Sequence, residues 1–219
     1  MHHEVTCTFV ESEQDGGMLV VFDLDGTLVD SSGALLEAHD VAWAQFGLVR
    51  PSNDAILDLI GLPLIEVLQS LAPQEDPQPI AEAYSRAYAA AAGRHERLFD
   101  GMDALLAKDF RAAVATGKSQ RGAERTVARH GLEERFEIVL GADPSRQPKP
   151  HPHLLEIIRD ETGESDLVMI GDTTYDLEMA HRAGMRAIGV SWGHHDTARL
   201  SKWAPVVDTV EELGRMLGV

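Results

Sequence analysis

Two places in the sequence bring aspartates together directly after a short apolar run. Phe22-Asp23-Leu24-Asp25-Gly26-Thr27 sets Asp23 and Asp25 two positions apart, and Gly171-Asp172-Thr173-Thr174-Tyr175-Asp176 sets Asp172 and Asp176 four apart. Along a strand, positions i and i+2 point the same way, and a turn permitted by Gly26 would bring both carboxylates of the first pair to one pocket. A lone aspartate in such a place is ordinarily a helix cap or part of a solvated loop, and capping stays open for Asp172. Two acidic pairs delivered to one edge of a sheet are a different matter. Like charges at short range disfavour each other unless a cation sits among them. Hard oxygen ligands of this kind suit Mg²⁺, which keeps some waters and takes one or two carboxylates plus a substrate phosphate.

Two further pieces fit a phosphate. Thr116-Gly117-Lys118-Ser119 follows an apolar run and opens a helical pattern, so a hydroxyl and backbone N–H groups form an anion cradle at a helix start. Lys149 lies in Gln147-Pro148-Lys149-Pro150-His151-Pro152, where flanking prolines stiffen the loop and fix a positive charge for an oxyanion. His151 with His153, and His194-His195-Asp196, raise zinc as a thought, but no cysteine or matching ligand set accompanies them.

Positioning these groups falls to a set of short elements. Met18–Leu24, Phe110–Thr116, Phe136–Gly141, Leu167–Gly171 and Arg186–Ser191 read as strands buried on both faces. Helical patterns at Ser119–His130, Pro152–Glu161, Tyr175–Ala183 and Thr197–Trp203 alternate with them, and a closing helix is expected within Val207–Val219. Alternation of this kind predicts an α/β fold, a Rossmann-like doubly wound parallel sheet whose ligands bind beyond the carboxyl ends of the strands.

One stretch breaks the rhythm. Residues 32–98 show helical patterns only, at Ala34–Phe46, Asp54–Ile60, Leu64–Leu71 and Ile80–Ala92, broken at Gly47, Pro51, Gly61–Pro63, Pro73, Pro77 and Pro79. The expected organisation is a flexible tail over 1–17, a core built from 18–31 and 99–219, and a helical cap inserted over 32–98 that acts as a lid.

In order and spacing, DLDGTLVDS, ATGKS, PKPHP and GDTTYD resemble the haloacid dehalogenase superfamily over residues 18–219. The helical insertion resembles that superfamily's first cap type, and the subgroup most resembled is the phosphoglycolate phosphatase-like phosphatases. The resemblance implies that Asp23 attacks phosphorus and becomes an aspartyl-phosphate, while Asp25 first protonates the leaving oxygen and then activates water. Thr116 and Lys149, with Gly117 and Lys118 of the cradle, would hold the phosphoryl group. Mg²⁺ would be bound by Asp23, Asp172 and the main-chain carbonyl of Asp25, and Asp176 would support the metal site or Lys149. The loop around Gly61 resembles the cap loop that dips toward substrate, with breaking two helices as the plainer reading.

Within the superfamily, Asp25 argues against dehalogenation, which needs no leaving-group proton. Phosphonatases use a cap lysine, and residues 32–98 contain none. A hexose phosphate mutase keeps both aspartates and remains an alternative; a non-catalytic binding protein is another, although Asp23, Asp25, Lys149 and Asp172 are all present. Arg94, His95 and Arg97 read mainly as surface decoration, with a substrate carboxylate or second phosphate as the other option.

The chain of 219 residues carries 19 basic against 36 acidic side chains, a net charge of −17. That balance repels nucleic acid and anionic membranes and leaves a small phosphorylated metabolite as the expected partner. A single cysteine, Cys7, rules out an internal disulfide, and no signal or membrane-spanning stretch is seen, so a cytoplasmic location is expected. Neither the metabolite nor the oligomeric state is legible.

Overall fold

The computed structural model describes residues 17–219; the expected tail over 1–17, with His2, His3 and Cys7, falls almost wholly outside them. In chain order the elements are β1 (Leu19–Phe22), β2 (Val29–Asp30), α1 (Ser32–Gln45), α2 (Asn53–Leu57), α3 (Leu64–Leu71), α4 (Pro77–His95), β3 (Arg97–Leu98), α5 (Met102–Leu106), β4 (Arg111–Ser119), α6 (Gln120–Arg129), β5 (Val139–Ala142), α7 (His153–Thr162), β6 (Leu167–Gly171), α8 (Thr174–Ala183), β7 (Arg186–Val190), α9 (Thr197–Leu200), β8 (Val206–Val207) and α10 (Val210–Leu217).

Six strands form one parallel sheet in the order β5-β4-β1-β6-β7-β8. The chain builds outward from β1 through β4 to β5, then returns to the other side of β1 for β6, β7 and β8. The order therefore reverses around β1, and the crevice beyond its carboxyl end is where such a sheet binds ligands. Alternate residues of β1 serve opposite faces. Val20 and Phe22 pack with Met102, Leu105, Val127 and Leu213 from α5, α6 and α10. Leu19 and Val21 pack with Leu154, Leu155, Ile158 and Met179 from α7 and α8. Covering on both faces explains why these strands read as continuous apolar runs.

Helices α1 to α4 bury their own cluster, in which Leu35, Ala38, Trp43, Leu68, Ile80 and Tyr84 meet. The chain enters this segment through β2 and leaves through β3, and the two pair antiparallel, Val29 with Leu98 and Asp30 with Arg97. Several element bounds differ from the sequence expectation. The strand β3 is new, inside a stretch expected to be wholly helical. Helix α4 starts at Pro77, with Asp76 accepting a hydrogen bond from Gln78 N as its cap. The first turn needs no N–H donor there, so prolines expected to break the helix instead begin it. Phe136, expected to start a strand, precedes β5 and packs as a core residue. Among the described residues, no helix is long and apolar enough to cross a membrane.

Candidate active site

Three strand ends meet above the reversal point. Asp23 follows β1, Thr116 lies near the end of β4, and Asp172 follows β6. After Asp23 the chain turns: Leu24 O accepts from the N–H groups of Thr27, Leu28 and Val29, and Gly26 N donates to Val29 O. Gly26 adopts φ 84°, and a β-carbon there would lie 2.2 Å from Asp172 Oδ2 and 2.3 Å from His194 Nδ1. Both its conformation and the closeness of that carboxylate demand glycine.

Asp23 is 1% exposed, and its Oδ1 lies 2.9 Å from Lys149 Nζ. Burial pushes the Asp23 carboxyl up to about 7; Lys149 opposes this, while Asp176 and Asp172 add to it. Lys149 is as buried as Asp23 and is also ion-paired with Asp176 Oδ1. Burial works against its charge, but Asp176 and Asp23 together outweigh that and hold the ammonium above its ordinary range. The other oxygen of Asp176 accepts from Thr173 N (3.1 Å) and Thr173 Oγ1 (2.7 Å), closing a capping box at the start of α8. Asp176 is thus fully engaged with Lys149 and Thr173.

Asp172 is the best supported carboxylate of the group. Its Oδ1 accepts from Thr27 Oγ1 at 2.8 Å, and its Oδ2 accepts from His194 N and Nδ1, each at 2.8 Å. Burial disfavours its charge, yet the His194 and Thr27 hydrogen bonds prevail and hold its carboxyl low. Asp172, not Asp176, is the residue His194 serves. Sequence reasoning singled out His194 only as an unlikely zinc ligand, and Thr27 not at all; their partners lie 22 and 145 positions away. His151 and His153 bond locally, His151 Nδ1 accepting from His153 N and His153 Nδ1 from Gln147 N.

Asp25, 8% exposed, stands apart from the buried acidic cluster. Ser31 Oγ donates to its Oδ1 at 2.6 Å, and Lys118 Nζ reaches Oδ1 and Oδ2 at 2.7 and 2.8 Å. Lys118 also donates to Tyr88 Oη at 2.8 Å, and Tyr88 donates to Glu96 Oε2 at 2.5 Å. Burial, then Asp25 and Glu96, push the Tyr88 phenol above its ordinary range, which keeps it a neutral donor. A polar chain therefore runs from the strand ends to α4. Sequence reading placed Lys118 at the phosphate and gave no role to Tyr88 or Glu96.

Thr116 is buried, its hydroxyl accepting from Lys118 N at 3.3 Å. Gly61, at φ 100°, lays its carbonyl against Gly117, where a β-carbon would lie 2.1 Å from Gly61 O. The nearby Asp58 is ion-paired with Arg199, and its carbonyl accepts from Tyr175 Oη and lies 3.1 Å from His195 Nε2. Between α1–α4 and the sheet lies a cavity of about 680 Å³. Asp23, Asp25, Thr116 and Lys149 line its floor, and Leu35, Ile60, Tyr84 and Tyr88 its roof. Arg94 and His95 pair with Glu37, and Arg97 with Asp30, all at the surface.

Asp23, Asp172 and Asp176 each place an oxygen within 4.8 Å of the others. Three buried carboxylates gather around one buried lysine, with His194 on the outer side of Asp172, and the donors are hard oxygens. That donor set fits a divalent cation of the Mg²⁺ type.

Residues 20–190 match the family described as haloacid dehalogenase-like hydrolase. The chain is 38% identical over 211 residues to the protein named Probable phosphatase IndB of Dickeya dadantii, covering 89% of this chain and 91% of that one. It is 33% identical to a protein named Tyrosine-protein kinase PtkA of Mycobacterium tuberculosis, covering 95% and 75%. It is 30% identical to a phosphoglycolate phosphatase of Thiobacillus denitrificans, covering 80% and 84%. The crystal structure of a predicted phosphatase from Clostridium acetobutylicum superposes with a TM-score of 0.83 over 93% of this chain and all of the other; at 22% identity this likeness speaks for the fold.

Proposed function

The chain belongs to the haloacid dehalogenase-like hydrolases and is a phosphatase, and on that premise we propose that it hydrolyses a small phosphate monoester through a phosphorylated Asp23. The observation that carries this reading is the buried ion pair of Asp23 with Lys149 at the floor of the cavity, beside Thr116.

Thr116 Oγ1 and the backbone N–H groups that follow it hold phosphoryl oxygens, and Lys149 offsets their charge. An Asp23 oxygen attacks phosphorus as the bond to the ester oxygen breaks. Asp25 gives its proton to that leaving oxygen. Asp25 then takes a proton from water, the water oxygen bonds to phosphorus, and the Asp23–phosphorus bond breaks to release inorganic phosphate. Asp23, Asp172 and the main-chain carbonyl of Asp25 would hold Mg²⁺, which when bound neutralises charge on the phosphoryl group and favours ionised Asp23. Asp176 serves as the anchor of Lys149. Lys118, clasping Asp25, turns to the substrate anion as it enters. Helices α1–α4 form a cap that excludes water while Gly61 rests on Gly117. The cap's reach over the floor favours metabolites over protein substrates, met in the cytoplasm.

Phosphate release from p-nitrophenyl phosphate and a metabolite panel, with and without Mg²⁺, tests the proposal. Release that depends on Mg²⁺ and disappears in Asp23→Asn is the expected result. Turnover that survives Asp23→Asn in folded protein overturns it.

A further inference from the structure

Arginines in this chain are nearly all engaged. Arg50, Arg94, Arg97, Arg111, Arg129, Arg159, Arg182, Arg186, Arg199 and Arg215 face carboxylates. Arg135 donates to Leu106 O, and Arg146 to Gln120 Oε1. The side chains of Arg86, Arg121 and Arg125 make neither a hydrogen bond nor an ion pair among the described residues, and all three residues are exposed.

These three line one cleft of about 580 Å³, Arg86 from α4 and the other two from successive turns of α6. Ala81, Ser85 and Ala89 of α4 are the small side chains that leave room opposite them. The same Arg121 and Arg125 line the cavity whose floor holds Asp23 and Lys149, so the two spaces are continuous. Glu82, one turn before Arg86, is the single carboxylate of the cleft, leaving cations in excess. In a chain of net charge −17, unneutralised guanidiniums from two facing helices make a local anion site and draw anions toward the mouth. Arg121 and Arg125 stand roughly half a turn and a turn and a half up α6 from its Ser119 cap, about 3 and about 9 Å along the axis.

Resting on the phosphatase reading above, we propose that Arg86, Arg121 and Arg125 form a second anion subsite, and that the substrate is a phosphate monoester carrying another anionic group, phosphate or carboxylate, remote from the phosphoryl group that is cleaved. The body of the molecule spans the cavity, and its far charge is gripped by the guanidinium forks.

Alkanediol bisphosphates of increasing chain length, set against the matching hydroxyalkyl monophosphates, measure both presence and reach; carboxyalkyl phosphates test whether a carboxylate serves as well. Wild type should favour the doubly charged member by about tenfold or more in kcat/KM once the spacer is long enough, chiefly through KM. In Arg121→Ala/Arg125→Ala, and in Arg86→Ala to a lesser degree, that ratio should fall toward one. No preference at any spacer length, or a preference that survives the double variant, overturns the subsite. Turnover of the monophosphates by wild type, absent from Asp23→Asn, tests the phosphatase reading separately. Should no compound be turned over, calorimetric binding of the same pairs to Asp23→Asn protein reads the subsite directly, equal affinities counting against it.

Discussion

The carbonyl oxygen of Gly61 occupies the space that a β-carbon on Gly117 would need, 2.1 Å from it. Backbone meets backbone where the helical segment touches the end of β4, so no side chain can bend aside to relieve a clash. Gly117→Ala should lift the loop from the cradle. Misplacement of about 1 Å at a reacting centre can cost about 100-fold, so kcat/KM should fall on that order. Thermal unfolding should change little by comparison, because the clash is released by opening the cap. A variant with unaltered kinetics would show that the two glycines do not set the closed geometry.

Thr27 and His194 orient Asp172 from outside any metal site. Loss of such a supporting bond typically weakens metal binding by about 10 to 100-fold. Thr27→Val keeps the shape and removes the hydroxyl, so the Mg²⁺ concentration for half-maximal activity should rise by about that factor, with activity restored at saturating Mg²⁺. A titration of activity against Mg²⁺ in both proteins decides it.

His39 governs an acid-sensitive part of stability. It is buried in α1, its Nδ1 accepting from Trp43 Nε1 at 3.0 Å, and its ring meets Tyr84 edge-on. Burial, reinforced by Arg50, pushes its ring down to about 4, with Asp40 opposing. A histidine whose folded value lies below its unfolded value of 6.5 is stabilising above 6.5, and that contribution is lost as pH falls toward 4. Between pH 7 and pH 5 the loss should be about 2 kcal/mol. His39→Gln retains an acceptor for Trp43 and cannot titrate, so its unfolding curves should show a smaller decline over the same pH interval.

Glu96 is a buried acid at the exit of α4. Its carboxylate accepts from Tyr88 and from Arg129 Nη1 (2.8 Å), with His130 Nε2 at 3.4 Å. Its removal leaves the half-buried Tyr88 hydroxyl without its acceptor and the exposed Arg129 without its partner, a loss of about 1 to 3 kcal/mol. Glu96→Ala should therefore lower stability by that order in denaturant unfolding, and Glu96→Gln by less.

The parts of this molecule that could be read from the chain are those decided locally. Leu19–Phe22 needs only its own apolar residues to announce a buried strand, and Asp23 and Asp172 follow such runs directly. The pairing of Arg97 and Leu98 with Asp30 and Val29 has no local signal, since two residues carry no periodicity and the partner strand is far away in sequence. Pro77 was misleading because a proline is a breaker inside a helix and a starter at its first turn. The same division runs through the site. Spacing delivers Asp23, Asp25, Thr116, Lys149, Asp172 and Asp176, whereas the tie from Lys118 through Tyr88 to Glu96 depends on how α4 lies over the sheet. Asp176 offers a carboxylate to any reading of the sequence, and only the fold shows both its oxygens already committed.

The ribbon of β2 and β3 has a wider consequence. Directly opposed residues in antiparallel strands sit about 5 Å apart, so the chain departs from the sheet and rejoins it through a single narrow doorway. Everything between residues 30 and 97 is thereby a cassette: a different insert with its ends at the same doorway could be grafted on without disturbing a strand of the sheet. Exchange of that segment alone would replace Arg86 and the roof of the cavity while leaving Arg121, Arg125 and the strand ends in place.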